Sequence, residues 1–192
     1  MADLNLTETD DEFEYDKGKN WVNIFGLSGK DKIIIHGNAN VLGGPGDDII
    51  INDVFSWIGG GVAYWNSPAS IYVDLEAGYA LDGFGTRDTL VNFRSVTSSG
   101  HDGDVILGTS KSDELWANGF NWGNRSPGSM RADLRGGVDT VSIHGSTLQN
   151  LKVDVAADGK TVTLTAQNGY SGVFSNVEVL RFKQNNKRTK MP

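Results

Sequence analysis

Residues 43–51 read Gly43-Gly44-Pro45-Gly46-Asp47-Asp48-Ile49-Ile50-Ile51. Three glycines and a proline within four positions rule out a helix there and call for a tight turn. The aspartate at the sixth position and the aliphatic residue at the eighth complete the nine-residue pattern G-G-x-G-x-D-x-U-x, in which U is aliphatic. A second copy, Gly26-Leu27-Ser28-Gly29-Lys30-Asp31-Lys32-Ile33-Ile34, keeps every fixed position except the second glycine. Between them, residues 37–42 form a degenerate half-repeat with asparagine in place of aspartate. Further on, Asp104-Val105-Ile106-Leu107 precedes Gly108-Thr109-Ser110-Lys111-Ser112-Asp113-Glu114-Leu115-Trp116, and a shortened copy follows at Gly136-Gly137-Val138-Asp139-Thr140-Val141. Glycine, aspartate and asparagine supply 59 of the 192 residues while glutamate occurs 6 times, so an all-helical fold is excluded.

The chemistry of the nine-residue unit follows from its residue types. The glycines let the backbone turn so that carbonyl oxygens face inward, and the aspartate adds a carboxylate. An all-oxygen donor set of this kind suits a hard cation such as calcium. The aliphatic residue opens a short strand that points into a core, and successive strands stack as a parallel right-handed solenoid with two units per coil. Asp31 and Asp48 are 17 residues apart, which predicts the same edge of neighbouring coils and one shared ion lined by Gly29, Asp31, Gly46 and Asp48. Asp104 and Asp113 are 9 apart and belong on opposite edges. The candidate metal residues are Gly26, Gly29, Asp31, Gly43, Gly44, Gly46, Asp48, Asp104 and Asp113.

The segments between the units resemble one another. Residues 71–78 (IYVDLEAG) and 83–96 (GFGTRDTLVNFRSV) match 151–159 (LKVDVAADG) and 172–180 (GVFSNVEVL) in their alternating strands and in closing on an Asn, an apolar residue and a further Val. Asp158-Gly159 between two alternating runs predicts a hairpin. The chain divides into an acidic N-terminal arm (1–19), two cassettes (20–98 and 99–182) and a basic tail (183–192). Across both cassettes it resembles the hemolysin-type calcium-binding (RTX) β-roll family. It is especially similar to the C-terminal domains of serralysin-type proteases and the R-modules of mannuronan epimerases. The resemblance implies a calcium cofactor and an all-β fold, a short parallel β-roll or β-solenoid with calcium-binding turns and flanking antiparallel strands. With no long unbroken series of perfect units, few ions are expected.

Other features narrow the function. There is no cysteine, hence no disulfide, thiolate zinc site or cysteine nucleophile. The net charge of −7 disfavours nonspecific nucleic-acid binding. It is unevenly placed: seven acids precede the first base, Lys17, whereas Lys183, Lys187, Arg188 and Lys190 end the chain without an acid. No apolar run is long enough to span a membrane, no basic-then-apolar leader follows Met1, and the ending Lys187–Pro192 is unlike a type I secretion signal. There is no H-E-x-x-H, and His36 and His144 each follow an apolar run in matching places, which suits turns. The aspartates sit in glycine-rich turns where ligation or turn-making accounts for them.

The aromatic, Asn/Gly-rich stretch 116–125 interrupts the repeat. Trp116, Phe120, Trp122 and Arg125 are therefore the candidate ligand or partner contacts, and Trp57, Tyr64, Trp65 and Tyr72 form a second aromatic stretch. The expected function is a non-catalytic calcium-binding module, extracellular or on a virion surface, that binds a polysaccharide or a partner protein, with the oligomeric state open. The alternatives are a structural part of a larger assembly, such as a phage virion or an adhesin, and a small β-helical polysaccharide-modifying enzyme.

Overall fold

The computed structural model describes residues 1–16, 20–53, 60–120, 128–144, 148–183 and 187–190. Among the described residues the chain is all-β apart from one 3-10 turn at Leu148–Asn150. Its strands are β1 (Ala2–Asn5), β2 (Glu12–Tyr15), β3 (Val22–Phe25), β4 (Lys32–Ile35), β5 (Ala39–Leu42), β6 (Ile49–Asn52), β7 (Gly60–Ala63), β8 (Tyr72–Asp74), β9 (Tyr79–Leu81) and β10 (Arg87–Val91). There follow β11 (Ser95–Thr97), β12 (Asp104–Leu107), β13 (Glu114–Ala117), β14 (Ser129–Asp133), β15 (Thr140–His144), β16 (Leu151–Val155), β17 (Thr161–Ala166), β18 (Ser171–Ser175), β19 (Val179–Lys183) and β20 (Lys187–Lys190).

Two sheets share these strands. The nine-stranded sheet has the order β1-β3-β5-β7-β11-β13-β15-β19-β20, and the eleven-stranded sheet the order β16-β17-β18-β14-β12-β8-β9-β10-β6-β4-β2. The chain passes from one sheet to the other and back, so each circuit lays one strand beside its predecessor. Pairing between circuits is parallel throughout. Antiparallel pairing occurs in two meanders, β8-β9-β10 and β16-β17-β18, and between β19 and β20.

Alternation builds the core. Every second residue of a strand turns inward, so a parallel register places inward residues in columns. In the nine-stranded sheet, Ile24, Val41, Val62, Val96, Leu115, Val141 and Leu180 follow one another across the strands. In the other, Ile33, Ile50 and Leu90 form one run, and Val73, Ile106, Ala132 and Phe174 a second. All of these are buried in one continuous core, so the two cassettes share it. Ile33 and Ile50 are the aliphatic residues of the two nine-residue units.

The segment set apart above as an acidic arm supplies the outermost strand of each sheet, β1 pairing with β3 and β2 with β4. Its turn, residues 6–11, has no glycine; Asp11 Oδ2 instead accepts both the N–H and the hydroxyl of Thr7 at 2.8 Å. Part of the basic tail forms β20. The hairpin predicted at Asp158-Gly159 joins β16 to β17, with Asp158 accepting the N–H groups of Lys160 and Thr161. Asn92 and Asn176, alike in the two cassettes, both close their meanders in the left-handed region at φ 61° and 57°.

Tight nesting of consecutive turns makes two glycines indispensable. A methyl group on Gly43 would lie 2.1 Å from Asp48 Oδ2, and one on Gly46 only 1.7 Å from the carbonyl oxygen of Gly29, with φ 149° besides. At Gly159, φ is 66° but nothing lies within 4 Å. Gly46→Ala is therefore expected to cost about 4 kcal/mol, from backbone strain and overpacking together. Gly159→Ala should lose only the left-handed penalty of about 1 kcal/mol. Urea unfolding of the two variants checks the difference, and equal losses would show that the turns are loosely stacked.

Candidate functional site

Four turns stack along one edge of the eleven-stranded sheet, at residues 6–11, 26–31, 43–48 and 83–88, each leading into β2, β4, β6 or β10. Each ends in an aspartate, and these aspartates form a ladder. The N–H of Asp11 donates to Asp31 Oδ1 at 2.9 Å, that of Asp31 to Asp48 Oδ1 at 2.8 Å, and that of Asp48 to Asp88 Oδ1 at 3.3 Å. The outer oxygen of each acceptor carboxylate thus holds the backbone of the circuit before it.

The inner oxygens are different. Asp31 Oδ2 and Asp48 Oδ2 are buried and receive no hydrogen bond. Main-chain carbonyls crowd the same space. A methyl group on Gly26 would meet the Gly43 carbonyl at 2.3 Å and Asp31 Oδ2 at 2.4 Å, and one on Gly44 would meet the Leu27 carbonyl at 1.9 Å. Leu27, which replaces the second glycine of its unit, takes φ 74° and so keeps the turn geometry. Gly29, Asp31, Gly46 and Asp48, expected to line one site, are brought together between adjacent turns. The Gly43 carbonyl and Asp31 Oδ2 share the space beside Gly26, Asp48 Oδ2 lies beside Gly43, and the Leu27 and Gly29 carbonyls lie against Gly44 and Gly46 of the next turn. Among the described residues, no group of three or more His, Asp or Glu side chains converges on one point.

Burial, reinforced by the neighbouring carboxylates, raises the carboxyls of this edge: Asp31 to about 6, Asp48 to about 7 and Asp88 to about 8. Asp88 Oδ2 also accepts the hydroxyl of buried Tyr64 at 3.0 Å.

A second ladder stands on the opposite edge, before strands of the nine-stranded sheet. The N–H of Asp113 donates to Asp139 Oδ1 at 2.7 Å and that of Asp139 to Glu178 Oε2 at 2.8 Å. Asp139 Oδ2 is a further buried oxygen without a partner, and burial raises Asp113 to about 6 and Asp139 to about 7. Asp113, expected as a ligand, has its carboxylate bonded to the N–H and hydroxyl of Thr109. Asp104 stands on the first edge but away from Asp31 and Asp48. Both its oxygens receive protein donors, from Ser99, Ile71 and Gly100, so it ties a loop instead of joining that site. Asp11, Asp88, Asp139 and Glu178 are ladder members outside the expected set. Glycine spacing marks Asp88 and Asp139, whereas nothing in the sequence marks Asp11.

The expected contact surface at 116–125 is corrected in part. Phe120 is only 1% exposed and packs edge-on to Tyr170 with ring centroids 5.0 Å apart, so it is core. Trp116 is half-buried on β13. Trp122 and Arg125 lie outside the described residues, as does Trp57. Tyr64 is buried. The second aromatic stretch instead contributes Tyr72, which stacks on Tyr79 at 5.7 Å, with the Arg87 guanidinium 4.5 Å above the Tyr79 ring. These half-buried rings and the exposed arginine project from the outer face of the eleven-stranded sheet. His36 binds three circuits together, Nε2 lying 2.6 Å from Glu14 and Nδ1 3.1 Å from Asp53, which is a turn arrangement. Among the described residues, no helix is long and apolar enough to cross a membrane.

Carboxyls raised by burial give a signed pH dependence. Their unfolded value is about 3.9. The folded metal-depleted chain binds these protons more tightly, so its stability is greatest below that value and falls as pH rises through about 6 to 8. Melting temperatures of the metal-depleted chain across this range should decline; a flat or rising profile would mean that the ladder carboxylates are neutralised by other groups.

A scan against protein-family models finds no match to this chain, and a search of curated proteins finds no match either.

Proposed function

We propose that this chain is a short parallel β-roll of the RTX type, stabilised by calcium, and that it serves outside the cytoplasm as a non-catalytic module binding an acidic or neutral polysaccharide. The observation that carries the calcium reading is the pair of buried, unpartnered oxygens, Asp31 Oδ2 and Asp48 Oδ2, set in consecutive glycine turns, the first of them beside the Gly43 carbonyl. Buried polar atoms are rarely left without a partner, and buried carboxylates more rarely still. Hard, anionic and largely backbone-derived donors suit calcium better than a softer metal.

When bound, calcium supplies the positive charge that these carboxylates lack. Asp31 and Asp48, with the carbonyls of Leu27, Gly29 and Gly43, are the groups that would hold it. The chain itself contributes the outer oxygens, which set strand register, and the nested glycine turns, which keep side chains out of the gap. Binding of a glycan falls to the outer sheet face, where Tyr72, Tyr79 and Arg87 combine ring surface with a guanidinium.

Three measurements test this reading. Calcium should raise the melting temperature and chelation lower it; an unchanged melt after exhaustive chelation would remove calcium from the account. Asp48→Asn separates the two oxygens by role. It keeps an acceptor for the Asp31 N–H but discards a buried charge, so the metal-depleted variant should be more stable than the metal-depleted wild type while its calcium affinity drops at least about tenfold. Asp158→Ala, in an exposed hairpin turn, should leave calcium affinity unchanged, and equal effects at Asp48 and Asp158 would place the ligands elsewhere. For the glycan, Tyr79→Ala should weaken retention on a polysaccharide column by roughly tenfold, equivalent to about 1.4 kcal/mol, with the melt intact. Retention that Tyr79→Ala leaves untouched would move the contact surface off this face.

A further inference from the structure

The stacked circuits end in open strand edges. Among the described residues, β1 and β2 each have a single neighbour at one end, and β16 and β20 each have a single neighbour at the other. The core is thinnest at these same places. Leu4, Leu6, Phe13 and Val153 are the hydrophobics that pack on the core while only partly buried, and all four lie on or beside terminal strands. Val155 of β16 is 44% exposed. Ile24 and Ile33, one circuit further in, are wholly buried.

β16 has an internal counterpart that indicates what its edge accepts. In the first meander, β10 pairs with the preceding circuit and β8 with the following one, through the parallel register Val73↔Ile106. In the second meander, β18 pairs with the preceding circuit, and β16 holds the place of β8 with no strand beyond it. A strand docking on β16 as β12 docks on β8 would run parallel to it. β16 runs in the same direction as β2, so β2 of another copy would meet it in that sense.

Charge selects between the possible pairings of ends. Residues 1–16 hold seven carboxylates and no lysine or arginine, whereas β20 carries Lys187, Arg188 and Lys190 and no acid. Glu12 and Glu14 on β2 are engaged by Lys32 and His36 of the next circuit, which leaves the end acidic overall. Lys152 of β16 pairs with Asp154 on its own strand, so the basic character of the far end comes from β20. Two like ends repel and two unlike ends attract. A heterologous contact is thereby favoured over an isologous one.

We propose that the end formed by β16 and β20 docks onto the end formed by β1 and β2 of a second copy, so that copies of this chain associate head to tail. Sedimentation velocity on the chain with calcium supplied should show association that grows with concentration and weakens with added salt. Two double variants test polarity, Glu12→Lys with Glu14→Lys, and Lys187→Glu with Lys190→Glu. Counted on the terminal strands alone, the double variants turn β1 and β2 from a net charge of −3 to +1 and β16 and β20 from +3 to −1, so each alone has two ends of like sign and its dissociation constant should rise at least about tenfold. Their equimolar mixture should recover association, because each contact between the two variants joins terminal strands of opposite charge. Val155→Asp on the exposed edge, with circular dichroism to verify the sheets, gives a second route to the same loss should a charge reversal impair folding. A wild-type chain that stays monomeric at low salt up to its solubility limit would overturn the proposal, as would association equally strong in every variant.

Discussion

The hydrogen bond from a main-chain N–H to the carboxylate of the next circuit's aspartate is the contact on which the stack depends. Between Asp31 and Asp48 it spans 2.8 Å, it recurs from Asp11, Asp48 and Asp113, and from Asp139 it goes to Glu178 in place of an aspartate. Parallel strands have no hairpin turn to set their register, and a slip of one residue would turn Ile33 and Ile50 out of the core. An anionic acceptor makes this bond stronger than a neutral one. It locks one residue of each circuit against one residue of the next, immediately before the strand begins. Register is thereby decided at the turn and passed on to the inward columns.

That solution has a cost that shapes the rest of the edges. A buried carboxylate needs a countercharge or a proton. The molecule meets the need differently along its length. Asp74 receives a bidentate guanidinium from Arg135, at 2.9 and 2.8 Å, and the same Arg135 donates to the Gly108 carbonyl at 2.6 Å. Asp104 is wrapped by the N–H groups of Ile71 and Gly100 and the hydroxyl of Ser99. Asp31, Asp48 and Asp139 have no such internal partner for one oxygen each. Asp31 and Asp48 are the pair on which the calcium proposal rests, and both follow glycine turns.

Much of this was legible in the sequence because it is local or strictly periodic. Glycine spacing located the turns at 26–31 and 43–48, and the 17-residue interval placed Asp31 beside Asp48. Asp158-Gly159 marked its hairpin, and the alternation of 161–166 its strand. What escaped notice depends on contacts remote in sequence. The turn at 6–11 is built by Thr7 and Asp11 side chains in place of glycine, so an acidic run looked like a solvated arm. Phe120 looked exposed because Gly119 and Asn118 flank it. Its burial is imposed by Tyr170 and Phe174, from a meander whose position over β13 no local signal reveals. Asp104 shares the spacing of the ladder residues, yet the loop at Ser99 and Gly100 closes around it.

The meanders explain how one sheet comes to carry an aromatic cluster on its outer face. A regular circuit adds one strand to each sheet, and the two sheets would then stay equal. Each meander adds three strands to the eleven-stranded sheet for one circuit of chain. The extra width is made of antiparallel strands, whose outer residues stand opposite one another without the offset of parallel pairing. Tyr72 on β8 and Tyr79 on β9 are brought together on adjacent strands of such a meander, and Arg87 on β10 reaches over the second ring from the far side. A parallel stack places residues one circuit apart side by side, so a cluster like this would need three matched circuits. The meander assembles it from one, and the repeat columns beneath it stay unchanged.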